Sequence, residues 1–586
     1  MTNMTYNHAN NSRNILKRNR RTRTWAAAVL LALQAPVLTS CGNFLEIAPL
    51  ETIVLEKFWN EETDVENVVA GCYAAMQDQT VVSRMMAWGE FRSDNIVGGT
   101  GIENNLDLSN IFKENINASN SFLKWGEFYN IINRCNTVLY YAPSVAEKDP
   151  NYTQSELRAT EAEVTAIRAL MYFYLIRTFR DVPYVTEPYL DDNQQLAIPA
   201  TPFAEVLGHL ISDLERVQDY AVRKYPTTKN YYQRGRITQD AIHAMLCDMY
   251  LWQQDYQNAV RYADMVIQAK TADYEAELNR MSGVISANQQ MIDGYPIISD
   301  AYATGNYYGN AFYEIFGDGN SRESILELIY MEDDQMPANG AVSNYYGNSE
   351  NTVGSVRPAD FLMSDINDEL FTVFENKYDA RFYENMQPVT GSKTLAGINK
   401  YANRSVMINL GKAELEGTYG SAYARDHCHA NWILYRLTDV MLMKAEALVE
   451  MGSPEQMQQA FDIVNTVYKR SNCSATDKNL DPARYSVTNQ DVMRDLVLLE
   501  RQRELMFEGK RWYDLVRRSL RDGNTGKLAG RVALKGSGGS TAISSKLSSM
   551  DAIFWPYHID ELDVNEYLTQ NPAFGSGENS SIELTQ

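Results

Sequence analysis

Long segments with apolar residues at three- and four-residue spacing occur in this chain as closely joined pairs. Residues 238–253 and 255–269 are two such segments, separated only by the turn at Gln254-Asp255. Residues 432–450 and 454–470 form a second pair of the same size, and 488–509 a third long helix. A helix hairpin cannot bury its apolar face alone, so repeated hairpins must stack on one another into a curved solenoid. Upstream, 154–180 reads as one helix with Val164, Ile167, Met171, Leu175 and Thr178 on one face, stopped by Pro183. Thr201-Pro202 then opens a helix carrying Val206, Leu210, Leu214 and Val217.

The 238–269 pair has the large-and-small pattern of a tetratricopeptide unit, with Leu246, Cys247 and Tyr250 facing Ala259 and Ala263. The expected fold class is therefore all-α: tetratricopeptide-like helical hairpins in a superhelix, mainly over 58–270 and 431–521, plus a loop-rich binding region with minor strands. A solenoid of this kind fits 586 residues into one domain.

Residues 271–430 break the helical pattern. They are rich in Gly, Asn, Asp, Ser and Tyr, and a stretch this long outside the helices implies a functional subdomain. Ser324 to Tyr330 reads as a strand within it, and 523–550 as a second loop dense in Gly and Ser. The chain has 37 Tyr against 8 Trp. Tyr295, Tyr302, Tyr307, Tyr308, Tyr313, Tyr330, Tyr345 and Tyr346 alternate with Gly, Asn and Asp, whereas core tyrosines come with aliphatic neighbours. Sugar rings have an apolar face and a hydroxyl rim, and they suit a flat aromatic flanked by amides and carboxylates.

The N-terminus carries Arg13, Lys17, Arg18, Arg20, Arg21 and Arg23 and no acid, followed by an apolar run from Trp25 to Leu33 and then Leu38-Thr39-Ser40-Cys41. That run is too short to span a bilayer and matches a signal-peptide core. A Leu, two small residues and a Cys at its end match a bacterial lipobox. Residues 1–40 are thus expected to be a lipoprotein signal peptide, Cys41 the lipidated first residue, and 41–586 one mature domain. Removal of those six cations takes the formal net charge from −22 to −28. Such an acidic chain does not fit nucleic-acid or anionic-lipid recognition, which needs clustered Lys and Arg. No later segment is apolar enough to cross a membrane, so the lipid is the expected attachment.

Cys72, Cys135, Cys247, Cys428 and Cys473 are odd in number and widely spaced. They read as small buried hydrophobes rather than a disulfide framework. His427-Cys428-His429 lacks a second pair at zinc spacing and, in an extended segment, points its two His to opposite faces, so no metal or other cofactor is expected. Val97-Gly98-Gly99-Thr100-Gly101 lacks the Lys and Ser/Thr of a phosphate loop and reads as a turn. In Glu500–Arg518, acids and bases alternate at helical spacing (Glu500 with Arg503 and Glu504, Glu508 with Arg511), which is the pattern of a salt-bridged helix rather than of a catalytic carboxylate pair. Glu161, Glu163 and Arg168 read the same way, with Arg168 close enough to the apolar stripe to require a buried ion pair.

Six landmarks run in order along almost the whole mature chain. They are Cys41-Gly42-Asn43-Phe44-Leu45-Glu46 with Phe58-Trp59-Asn60; Phe91-Arg92-Ser93-Asp94-Asn95; Glu161-Ala162-Glu163 with Arg168-Ala169, Tyr172-Phe173 and Asp181-Val182-Pro183; Glu323-Ser324-Ile325-Leu326-Glu327; Tyr435-Arg436-Leu437-Thr438-Asp439 with Lys444-Ala445-Glu446; and Glu500-Arg501-Gln502-Arg503-Glu504 through Gly509-Lys510-Arg511-Trp512-Tyr513-Asp514 to Asn571-Pro572. On these the chain resembles the SusD/RagB family, surface lipoproteins of Bacteroidetes glycan and nutrient uptake. Arg180 stands where the family usually has Gly, and Phe554-Trp555-Pro556-Tyr557 replaces a Pro-Ile-Pro sequence.

The resemblance implies an outer-membrane, lipid-anchored protein facing the cell exterior. It implies binding without catalysis, and a TonB-dependent barrel of the SusC/RagA type as partner. It also implies an oligosaccharide ligand, with peptide or glycopeptide as the alternative. An α-helical glycoside hydrolase or polysaccharide lyase is the enzymatic alternative. It would need a carboxylate pair across a cleft and hairpins continuing through 271–430. The candidate ligand contacts are Tyr302, Tyr307, Tyr308, Tyr345 and Tyr346 from the aromatic cluster. Trp88, Arg92 and Asp94 are added because family members often place contacts near that segment. The loop after Asp94 has no aromatic before Phe112, which departs from a starch-type aromatic arc.

Overall fold

The computed structural model describes residues 57–191, 194–281, 289–302, 307–331, 338–349, 352–363, 373–375, 378–388, 395–409, 420–424, 428–472, 479–536 and 541–575. Cys41, His427 and Cys473 lie outside the described residues.

Stacked helix hairpins form the body. Glu62–Met76 packs on Gly126–Lys148, which packs on Gln154–Phe179, which in turn packs on Phe203–Val217. The Gln239–Gln253 and Tyr256–Leu278 hairpin follows; its second helix packs on Leu437–Met451, and that helix on Pro454–Ser471 and Gln490–Leu505. Caps set these boundaries. Thr153 and Glu156 form a capping box, as do Ser453 and Gln456 with Pro454 in the first turn. Thr238 and Asp255 cap the two helices of the central hairpin. Its turn is made by Gln254 in the left-handed region, φ 63°; the equivalent turn of the next hairpin uses Gly452, φ 76°. Leu246, Cys247, Ala259 and Ala263 are all buried, and small residues there let the two helices approach.

Helix 154–179 departs from the expected single apolar face. Every residue from Ala162 to Phe179 is buried, because neighbours enclose its C-terminal half on all sides. Arg168 takes Asp213 and Asn136 as partners, while Glu163 forms a bidentate pair with Arg236 at 2.7 Å. The helix ends at Arg180, φ 71° and ψ −78°, a conformation that favours glycine. Arg180 there donates to Asp181 and Asp551.

Four local expectations change. Thr201 does not cap the next helix; Ala200–Thr201 pairs with Val182–Pro183, and Phe203–Val217 begins after Pro202 with no side-chain cap. Residues 432–436 are a strand rather than the start of a helix, antiparallel to Ser324–Leu328 with Trp432 opposite Leu328. Residues 523–550 include the helices Gly526–Ala533 and Thr541–Lys546 instead of remaining loop throughout. Likewise, Ile96–Gly98 forms a short ladder with Val356–Pro358, and the turn falls at Gly101, φ 82°.

The loop-rich middle is built on small sheets. Asn403–Asn409 pairs with Gly420–Ala424 on one side and with Tyr307–Tyr308 on the other. This region sits on a buried polar core. Arg436 meets Glu504 and Glu508; Lys400 meets Glu508; Arg381 meets Asp379, Glu500 and Glu504; Arg503 meets Glu500 and Glu375; Arg470 meets Glu323 and Glu504. The acidic and basic run at 500–518 is therefore structural, and it is buried rather than solvated. Glu508 pairs with Arg436, not with Arg511. Cys72, Cys135 and Cys247 are buried free thiols, and Cys428 is buried.

Candidate functional site

The segment 87–95 and the helix Gly340–Tyr346 meet at one place. Asn339 caps that helix by accepting from the Val342 N–H, and its amide donates to the Ala430 carbonyl, which ties the helix to the body. The helix packs against Gln79–Met86. Its last two residues diverge, as successive helical positions must. Tyr346 turns inward and is buried, with its hydroxyl donating to the Phe507 carbonyl at 3.0 Å. Tyr345 stays half-buried, edge-on to Phe91 at 5.1 Å and tilted against Phe122 at 6.3 Å.

Tyr345 lines a cleft of about 600 Å³ with Asp78, Gln79, Thr80, Ser83, Arg84, Asn105, Ser121 and Phe122. Arg84 braces its floor: Nε donates to the Lys124 carbonyl at 2.6 Å and Nη2 to the Ser121 carbonyl at 2.8 Å. Burial lowers the Arg84 pKa, opposed by the neighbouring Tyr345, Glu127 and Asp78. Burial also raises the Tyr345 phenol, against Ser83 and Arg84. Asp107, outside the lining, fixes Ser121 by accepting from its N–H at 3.1 Å and from its hydroxyl at 2.5 Å. The result is an aromatic face beside exposed carboxylate, amide and hydroxyl groups, an arrangement suited to a polar molecule with an apolar ring face.

Of the expected contacts, Tyr345 lines this cleft, whereas Trp88, Arg92, Asp94 and Tyr346 are buried and do not line it. Trp88 packs on Phe128 and Phe179, and its indole N–H donates to the Phe122 carbonyl at 2.8 Å. Arg92 binds Glu114 at 2.8 Å, lies over the Trp512 ring and donates to the Ala552 carbonyl. Asp94 is paired with Arg511 and Arg531 rather than with Arg92. An Arg and an Asp in a polar motif suggest an exposed site, but Arg92 is taken by Glu114, and the partners of Asp94, Arg511 and Arg531, lie more than 400 residues away in the C-terminal helices.

The other tyrosines form a separate group. Tyr307 and Tyr308 stand opposite Asn409 and Ile408 in the three-stranded sheet, and the Tyr302 N–H donates to the Tyr307 carbonyl at 3.1 Å. Tyr307 is 43% exposed, whereas Tyr302 and Tyr308 are half-buried. Burial, with Glu384 and Asp300 nearby, pushes the Tyr302 phenol up to about 12. Asp78, Gln79, Asn105 and Ser121 were missed at the sequence level. Their signal was the same one that marked the tyrosines: amides, acids and hydroxyls next to an aromatic, as in Asn120-Ser121-Phe122.

A second cavity, of about 280 Å³, lies between Glu62–Met76 and the turn at 231–236, lined by Tyr73, Tyr231, Tyr232, Arg236, Ile329 and Met331. No group of three or more His, Cys, Asp or Glu among the described residues could hold a metal ion, and none of their helices is long and apolar enough to cross a membrane.

Comparison with known proteins matches nearly the same span as the sequence landmarks. The family model described as "SusD family" matches residues 249–574, and one described as "Starch-binding associating with outer membrane" matches 43–251. SusD-like protein P38 of Formosa agariphila is 25% identical over 576 residues, covering 93% of this chain and 98% of its own, and SusD-like protein P25 of the same organism is 23% identical, covering 92% and 96%. Among solved structures, a SusD homolog from Bacteroides thetaiotaomicron superposes with a TM-score of 0.63 at 17% identity, covering 89% of this chain and 98% of its own. NanU of B. fragilis superposes with a TM-score of 0.56 at 18% identity, covering 90% and 100%. The chain belongs to the SusD family.

Proposed function

We propose that this protein is a lipid-anchored binding protein on the outer face of the outer membrane. In this reading it captures oligosaccharide in the Tyr345 cleft and passes it to a TonB-dependent barrel of the SusC type. The observation that carries the ligand reading is the half-buried Tyr345 ring, flanked by Asp78, Gln79, Asn105 and Ser121 and held from behind by Phe91 and Phe122. A sugar ring would stack on the phenol while its hydroxyl rim exchanges hydrogen bonds with the amides and carboxylate. Family membership supports carbohydrate as the ligand class and the outer membrane as the place.

The reading is one of binding without turnover. Glu500 and Glu504 of the polar core are held by arginines, and Asp78 is the one carboxylate among the described residues that line the cleft. A retaining or inverting glycosidase needs two, several ångströms apart across the scissile bond.

Calorimetric titration of the purified mature protein against a panel of oligosaccharides and peptides tests the ligand reading. At least one oligosaccharide is expected to bind wild type and to lose affinity in Tyr345→Ala. Binding of peptides only would overturn the ligand class, and full affinity in Tyr345→Ala would move the site elsewhere. Isolation of the protein from native outer membranes tests delivery: a TonB-dependent barrel should co-purify, and its consistent absence would remove that part of the reading.

A further inference from the structure

Two buried acids stand outside the ion-pair network of the polar core. Asp300 is 1% exposed and Glu384 is 4% exposed. Both carboxylate oxygens of Asp300, Oε1 of Glu384, the Ser471 hydroxyl and Nε of Arg470 have no hydrogen-bond partner among the described residues. Arg470 already gives its two Nη groups to Glu323 and Glu504. The five cations Arg381, Lys400, Arg436, Arg470 and Arg503 are likewise engaged by Glu323, Glu375, Asp379, Glu500, Glu504 and Glu508. Among the described residues, then, negative charge already exceeds positive charge in this core before Asp300 and Glu384 are counted. Two further ionised carboxylates, buried and within each other's field, would cost several kcal/mol each in desolvation.

Asp300 also closes the hairpin that carries Tyr302, Tyr307 and Tyr308. Its carbonyl accepts from the Gly309 and Asn310 N–H groups, both at 3.0 Å, and the Asn310 amide donates to the Ser299 carbonyl at 3.1 Å. Glu384 lies on the Ala380–Asn385 helix, which the Asn385 amide fastens to the Arg503 carbonyl at 3.0 Å.

We propose that Asp300 and Glu384 hold a single proton between them, with Glu384 the acid and Asp300 the anion facing Arg470, and that this proton fastens the tyrosine hairpin to the helical body. The protonated carboxyl donates its O–H to the carboxylate opposite, so one proton satisfies an oxygen on each side and removes the like-charge repulsion. The charged and titratable groups facing the pair are Arg470, Glu504 and Asp379 from the flanking helices and Tyr302 from the hairpin itself. Of these only Arg470 favours a second ionisation. Burial raises the titration of both acids, and Glu384 is raised further by Asp300.

The direction of pH dependence follows. A proton held in the folded hairpin and released on opening makes opening easier as pH rises above the ordinary carboxyl range, by about tenfold per pH unit until the folded pair itself titrates. Hydrogen exchange of peptides covering the hairpin, corrected for intrinsic rate, should show that dependence in wild type and lose it in Glu384→Gln, which keeps a donor without a titrating group. The same variant should melt increasingly above wild type as pH rises from 5 to 8. Equal pH dependence in the two proteins overturns the proposal. Infrared spectra at pH 7 of wild type and Glu384→Gln provide a further readout, because the other buried acids of raised titration, among them Glu90 and Glu163, are common to both proteins. A protonated-carboxyl band present in wild type and lost in the variant is expected, and an unchanged band overturns the proposal, as does a stoichiometric cation in elemental analysis whose removal by EDTA lowers the melting temperature.

Discussion

Asp94 accepts two hydrogen bonds from the Arg511 guanidinium, at 2.7 Å to Nε and 2.9 Å to Nη2, across 417 residues of chain. Burial alone would raise the Asp94 pKa; the Arg511 charge and its hydrogen bonds, with Arg531 behind them, hold it well below the ordinary carboxylate range. Arg511→Ala leaves a buried acid with half its compensation and is expected to destabilise the fold by about 3 to 5 kcal/mol. The sign of the pH effect is opposite to that of the Asp300 and Glu384 pair. The contribution of Asp94 is present above the unfolded carboxyl pKa, roughly 4, and is lost as pH falls toward its folded value. Denaturant midpoints at pH 7 and pH 3 measure this: the gap between wild type and variant should narrow at low pH. If Arg511→Ala unfolds at the wild-type midpoint, the pair does not clamp the two ends of the domain.

Adjacent tyrosines should separate function from packing. Tyr345→Ala is expected to weaken ligand binding about fivefold, from roughly 1 kcal/mol of ring stacking, with a small change in melting temperature. Tyr346→Ala removes a buried ring and orphans the Phe507 carbonyl, so it should cost about 3 to 5 kcal/mol of stability. Affinity and melting temperature measured on both variants decide the matter. The reverse pattern would mean that the cleft is not the site.

Glu90 should give the domain a stability that declines through neutral pH. Its oxygens accept from the Asn95 amide at 2.7 Å and from the Phe507 and Gly509 N–H groups at 3.1 and 3.2 Å. Burial outweighs these and pushes its pKa up to about 7. A carboxyl group with a raised folded pKa stabilises fully below its unfolded value and loses that contribution as pH rises through 7. The change is about 3 kcal/mol between pH 4 and pH 8. Glu90→Gln should flatten the profile at the cost of about 1 kcal/mol for a lost hydrogen bond. An unchanged slope in the variant would assign the dependence to other groups.

Replacing Cys41 with Ala should release the protein from the membrane fraction, because Leu38-Thr39-Ser40-Cys41 is the only attachment signal read from the sequence. Fractionation followed by immunoblotting checks it. A Cys41→Ala protein that still pellets with membranes would exclude the lipid anchor, and protease treatment of intact cells tests the outward orientation.

Helix spacing carried most of the architecture. The hairpins at 239–278 and 437–471 were legible because apolar periodicity, Thr238, Asp255, Ser453 and Pro454 are local signals that act within one or two turns. The acid–base alternation at 500–518 was legible as structural, but its partners were not: Glu508 finds Arg436 and Lys400, and Arg511 finds Asp94. The amphipathic signal of 154–179 likewise could not show that its C-terminal half is enclosed on every side. Burial depends on what packs against a residue, and those neighbours come from distant segments.

The tyrosines show the same division. Sequence by itself determined that the middle of the chain is aromatic and polar, since composition alone sets what a surface there can offer. Tertiary structure decided which rings face solvent. It turned Tyr345 outward and Tyr346 inward on one short helix, placed Tyr302, Tyr307 and Tyr308 on a separate sheet, and drew Trp88, Arg92 and Asp94 into the core. It also brought Asp78, Gln79, Asn105 and Ser121 around Tyr345. The physical reason is that exposure and electrostatic pairing belong to contacts made across hundreds of residues, while helix formation and capping belong to contacts made within a few.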